Sequence, residues 1–214
     1  LYRSGIVGSG NAISYAFMQS LLRELYSKYF SGQMLKNKMS DFIRENVIGA
    51  DQSELHMLVE LLETYKKNYN SGLLEKKVSW TGGLQDQNDE LSLNAFNNWL
   101  RRNLTTALTD DSIVKDMIGK IVSLTIEKLP SATQLPVDRV IFSGRGFLMN
   151  MLHAEMKKQL DEKYGTGLQE LKVNTERYSM KNICMFISNY IYNGHYDGHL
   201  LGVPQIEFPG NAFR

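Results

Sequence analysis

The chain is poor in cysteine and proline, with one Cys and four Pro in 214 residues. A single cysteine, Cys184, excludes a disulfide framework within the chain and fits a reducing compartment. It falls in an apolar helical run, so it reads as core; the apolar setting would raise a thiol's pKa and disfavours a nucleophile. Charge of one sign is also lacking: 24 Lys and Arg face 23 Asp and Glu, a formal +1. A dedicated nucleic-acid binder normally carries a basic surplus, so nucleic acid is not an expected partner. No apolar run reaches the about 18 residues that a membrane-spanning helix needs, so no membrane is expected either. GxSxG, a P-loop lysine motif and a HExxH helix are all missing, as are fixed-period repeats and low-complexity segments. The chain opens at Leu1-Tyr2-Arg3 without an initiator Met or a signal-peptide pattern, and reads as a piece of something longer.

What is present is mostly helical pattern with a few strand-like runs, which sets the class at α/β or α+β with heavy helix content. Gly5, Gly8 and Gly10 lead into a helix over 12–30, with Ile13, Phe17, Leu21, Leu22 and Leu25 on its apolar face. No strand precedes these glycines and the GxGxxG spacing is not met, so they read as a turn setting the helix's entry angle. Ser31-Gly32 ends that helix. A second is expected over 34–47, with Leu35, Met39, Phe42 and Ile43 inward. Asp51 or Ser53 can cap a third over 52–69, whose buried stripe reads Leu55, Leu58, Val59, Leu62 and Tyr65.

Residues 73–80 read as a strand and Thr81-Gly82-Gly83 as its turn. Ser92 caps a helix expected to reach Leu108, with Leu93, Phe96, Trp99, Leu100 and Leu104 inward. Asp110 and Asp111 open another, which Pro130 stops. A short strand at 168–173 and a helix at 180–192 follow, and the tail to Arg214 reads as irregular.

The clearest stretch is 135–160. Val137, Val140, Ile141 and Phe142 make an apolar run of strand length, Ser143-Gly144-Arg145-Gly146 breaks it, and an amphipathic helix follows with Leu148, Met151, Leu152, Met156 and Leu160. Such a turn either packs a helix tightly on a sheet or lets backbone approach a ligand beside free helix N–H groups.

Other chemistry candidates are weaker. His195, Asp197 and His199 have a spacing that could hold a metal, but zinc sites draw further ligands from elsewhere, and a polar loop is the simpler reading. Met149, Met151 and Met156 read as core filling. Glu63, Lys66 and Lys67 share one helix face, where an exposed Glu–Lys pair would by itself contribute only about a few tenths of a kcal/mol.

Taken together, three segments resemble the C-terminal half of the ATPase domain of the seventy-kilodalton heat-shock chaperones and, more broadly, the actin, chaperone and sugar-kinase superfamily. Residues 137–149 are similar to the family's second adenosine segment, with Ser143 at its first glycine and Gly144 at its second. Glu63, Lys66 and Lys67 match the Glu-x-x-Lys-Arg of the helix that reaches the adenosine, and 91–96 resembles the Ile-Thr-Arg-x-x-Phe start of the next helix. Gly8-Ser9-Gly10 precedes the first helix much as a Gly-Gly pair does in that family. The likeness covers about residues 5–195.

The resemblance implies an α/β, ribonuclease-H-like lobe from 1–32 and 109–195, a small α+β subdomain inserted at 33–108, and a tail at 196–214. It also implies ATP or ADP bound between lobes, with Ser143 and Gly144 giving backbone access, Phe147 standing where the family has an adenine-stacking arginine, and Glu63, Lys66 and Lys67 on the opposite wall. The N-terminal lobe of the same parent would be the partner and would hold most of the Mg²⁺. Without that lobe and its phosphate loops the fragment is not expected to hydrolyse ATP. A non-catalytic, self-assembling module and a helical interaction domain are the rival expectations.

Overall fold

The computed structural model describes residues 9–48, 50–75, 82–129, 131, 139–142 and 149–172. Its centre is a helix, α1 (Ser9–Tyr26), for a reason visible in its side chains. Ile13, Phe17, Leu21, Leu22 and Leu25 are buried, as the apolar stripe requires, and Ala16, Met18 and Ser20 widen the buried face, while Asn11 and Tyr15 stay exposed. A helix with so wide a buried face needs several neighbours. Around α1 pack α2 (Gly32–Phe42), α3 (Gln52–Asn70) and α5 (Ser112–Glu127).

The flanking helices follow their start and stop signals. Asp51 caps α3, its carboxylate accepting the Ser53 N–H at 2.7 Å. Ser92 caps α4 (Leu93–Arg102) by accepting the Ala95 N–H at 3.2 Å. This helix stops at Arg102 and does not continue to Leu108. Asn103 is fully buried and its amide donates to the Trp99 carbonyl at 2.7 Å, so a side chain takes a carbonyl that the next helical N–H would need. After α2 the chain widens into a five-residue π-helical turn, Ile43–Val47.

On α3 the buried residues are Leu58, Leu61, Leu62 and Tyr65, while Val59 is 53% exposed. The expected stripe was therefore displaced: two overlapping sets of three- and four-residue spacings run along this helix, and the core takes the one centred on Leu58. The turn at Gly82-Gly83 lies against α1 and α4. Gly83 has φ +90°, a backbone conformation that L side chains rarely adopt, and a Cβ there would press on a methyl of the buried Leu25, so glycine is favoured on both counts.

Strand structure among the described residues is small. Of the strand expected at 73–80, Glu75 forms an isolated bridge to Thr106, and 76–80 lie outside the described residues. β1 (Arg139–Phe142) pairs in parallel with β2 (Gln169–Lys172), in register Arg139 with Gln169 through Phe142 with Lys172, and α6 (Asn150–Tyr164) crosses between them. Strand and helix thus fall where the 135–160 pattern puts them.

The expected fold class does not hold. The described residues are mostly helical, and an α/β, ribonuclease-H-like lobe built on a central sheet is not supported. The reason is where the apolar surface goes. Phe17, Phe96, Trp99, Val114 and Ile118 are buried in one contiguous core that helices build largely against helices. A pair of four-residue strands cannot organise such a core. The helix expected at 180–192 and the tail at 196–214 lie outside the described residues. Among those described, no helix is long and apolar enough to cross a membrane.

Ser20 supplies a test of this packing. It is 1% exposed, and its hydroxyl has no hydrogen-bond partner among the described residues. Burying an unpaired hydroxyl is costly, so Ser20→Ala should stabilise the fold by about 1 kcal/mol, or about 2–4 °C in thermal midpoint. A lower midpoint would show that the hydroxyl is paired.

Candidate functional site

The site begins with how α1 crosses α3. The Phe17 ring meets Tyr65 edge-on at 5.8 Å and Tyr69 at 5.0 Å. With that contact fixed, Ser14, three residues earlier on α1, stands over Glu63 and Lys66 of α3. Its Oγ lies 2.7 Å from Glu63 Oε1, 3.1 Å from the Gly10 carbonyl and 2.9 Å from Lys66 Nζ. A hydroxyl has one proton to give, and the carboxylate is both nearer and charged, so Ser14 donates to Glu63 and accepts from Lys66. Lys66 also pairs directly with Glu63 Oε1.

The result is a three-residue cluster converging on one carboxylate oxygen. Burial pushes the Glu63 carboxyl up, but hydrogen bonds from Lys66 and Ser14, with the charges of Lys66 and Lys67, outweigh it and hold the group below its usual value. Glu63 Oε2 takes no bond among the described residues and is left to accept from something else. The Glu63 side chain is 43% exposed and that of Lys66 21%. A fixed, half-sheltered carboxylate beside an ammonium suits a ligand that offers hydroxyl donors next to negative charge.

A second contact brings another part of the chain to this helix. The Asn150 N–H, at the first position of α6, donates to Asn70 Oδ1 at 2.9 Å. Asn70 is the last residue of α3 and stands seven positions beyond Glu63, two turns on and about 10 Å along the same face. The start of α6 is therefore tied to the helix that carries the cluster. Beside it, Met149 and Phe142 are buried, and the Phe142 ring meets His153 at 4.7 Å.

Of the residues expected at the site, Glu63 and Lys66 are brought together and Lys67 is exposed beside them. Ser143, Gly144 and Phe147 lie outside the described residues, as do Cys184, His195 and His199. Ser14 and Asn70 escaped the sequence reading. Nothing in the spacing along α1 marks Ser14, which becomes part of the site only through the crossing with α3. Asn70 could have been noticed as a polar residue ending a helix, but its partner lies 80 positions away.

Among the described residues, no group of three or more His, Cys, Asp or Glu side chains could hold a metal ion. No protein-family model, curated protein or solved structure matches the chain.

The cluster predicts a pH signature. A carboxyl whose folded pKa is depressed contributes stability above its unfolded value and loses it as pH falls through the folded value. Glu63 normally titrates at 4.5. Above that pH the wild type should exceed Glu63→Gln in thermal midpoint, and on acidification below it the two should converge. A gap that stays constant on acidification would contradict the arrangement.

Proposed function

We propose that the chain supplies one wall of an adenine-nucleotide site in a longer, ATPase-type protein, with Glu63 and Lys66 as its central polar pair. What supports this is chiefly one observation: Glu63 is held by Ser14 and Lys66 through Oε1, while Oε2 takes no bond among the described residues. A carboxylate prepared in that way can accept from sugar hydroxyls, and the neighbouring ammonium can donate to them or sit near phosphate. The likeness of the 63–67 and 137–149 motifs to the adenosine segments of chaperone ATPases favours the same ligand. The bond between Asn150 and Asn70 supports it further, since it holds the helix that follows the 143–147 segment close to α3.

In this proposal Ser143, Gly144 and Phe147 meet the nucleotide from the side opposite Glu63 and Lys66, and Lys67 adds positive charge beside that pair. Phosphate loops and the carboxylates that place Mg²⁺ come from a second lobe, so this part binds nucleotide without hydrolysing it alone. A cytoplasmic setting belongs to the same proposal and rests on the lone cysteine.

The test is ATP or ADP binding by the full-length protein, measured by calorimetry. Glu63→Ala and Gly144→Val should each weaken binding about tenfold or more, in keeping with losing a charge-assisted bond or closing a backbone approach. Unchanged affinity in both variants would remove these residues from the site. Assembly that proceeds equally with and without ATP, followed by light scattering, would favour the non-catalytic module.

A further inference from the structure

The first N–H groups of any helix have no partner within it, and α6 begins at Met149–Asn150 without a side-chain cap of its own. The cap comes from elsewhere in the chain. Asn70 Oδ1, on the last turn of α3, accepts the Asn150 N–H at 2.9 Å. It does for α6 what a serine or aspartate before the helix would normally do, but from a different element. The bond therefore fixes more than the helix start: it fixes where α6 begins relative to α3.

We propose that Asn70 is a positioning residue, which docks the first turn of α6 onto α3 and so sets its distance from the Glu63–Lys66 pair. Asn70 and Glu63 are on one face of one rigid helix, separated by two turns. Whatever occupies Glu63 Oε2 must fit between that pair and whatever α6 presents. Release of the bond frees the first turn of α6 from α3, while the body of the helix stays packed on α5 and the Ser14–Glu63–Lys66 contacts, none of which passes through Asn70, stay intact. The proposal rests on the nucleotide-site reading for its ligand, but the docking of α6 does not.

Two variants separate the roles of the side chain. Asn70→Ala removes the acceptor. Asn70→Asp keeps it and adds a charge that the α6 N-terminus favours and the α3 C-terminus opposes. Adenosine is the probe, since it carries no phosphate for that charge to repel. In the full-length protein, Asn70→Ala should weaken adenosine binding about fivefold and speed amide exchange at the start of α6, and Asn70→Asp should restore both to near wild type.

If exchange at the start of α6 is unaltered by Asn70→Ala, the docking role is wrong, whether or not adenosine binds. Equal loss of affinity in both variants would mean that the side-chain amide acts through something other than the Asn150 N–H, which also overturns a positioning role. A wild-type protein that binds no adenosine, with exchange responding as expected, would sink the nucleotide reading alone.

Discussion

The packing of α1 against α3 is the constraint from which the rest of the arrangement follows. Phe17 inserts between Tyr65 and Tyr69, and these three rings fix the height and angle at which the two helices pass. Because α1 also packs against α2 and α5, it cannot slide or roll to relieve a misplaced contact without disturbing both of them. Close aromatic packing at the crossing thus holds the polar cluster next to it on the same face. Ser14, Glu63 and Lys66 meet because aromatic side chains one turn away have already decided where their helices cross.

The same helix end anchors two further elements. Tyr65 donates to the Thr106 carbonyl at 2.7 Å, in the segment that bridges to Glu75, and Tyr69 donates to Asp111 at 2.8 Å, just before α5. Glu24 of α1 reaches the same connection, accepting the Thr109 N–H at 2.7 Å and the Asp110 N–H at 3.1 Å. Lys163 of α6 caps the end of α5, donating to the Ile126 and Leu129 carbonyls at 2.6 Å. The two tyrosine bonds hold the end of α3 beside the candidate site, and the others tie α1 and α6 to the ends of α5.

Much of this was legible in the sequence where local chemistry decides the outcome. Asp51 and Ser92 cap their helices because a short polar side chain before an apolar repeat has one good use there. The strand and helix of 135–160 fall where periodicity places them. Two kinds of information were not legible. On α3, Leu58, Leu62 and Tyr65 fit two overlapping stripes, one with Val59 and one with Leu61, so only tertiary packing could leave Val59 outside and bring Leu61 in. The fold class failed for a related reason: strand-length apolar runs suggested a central sheet, whereas the described helices bury their apolar faces largely on one another. For the site, the residue types on α3 could be read from their shared face, but Ser14 and Asn70 could not, since each acts through a partner supplied by another element.

Chemical-shift mapping of backbone amides during an adenosine titration tests the central claim most directly. An adenosine site on the wall described here should move the amides of three separate segments together: 10–14 at the start of α1, 63–70 on α3, and 149–150 at the start of α6. Shifts confined to the outer groove between α5 and α6, around Gly119 and Leu124, would place the ligand elsewhere and contradict it.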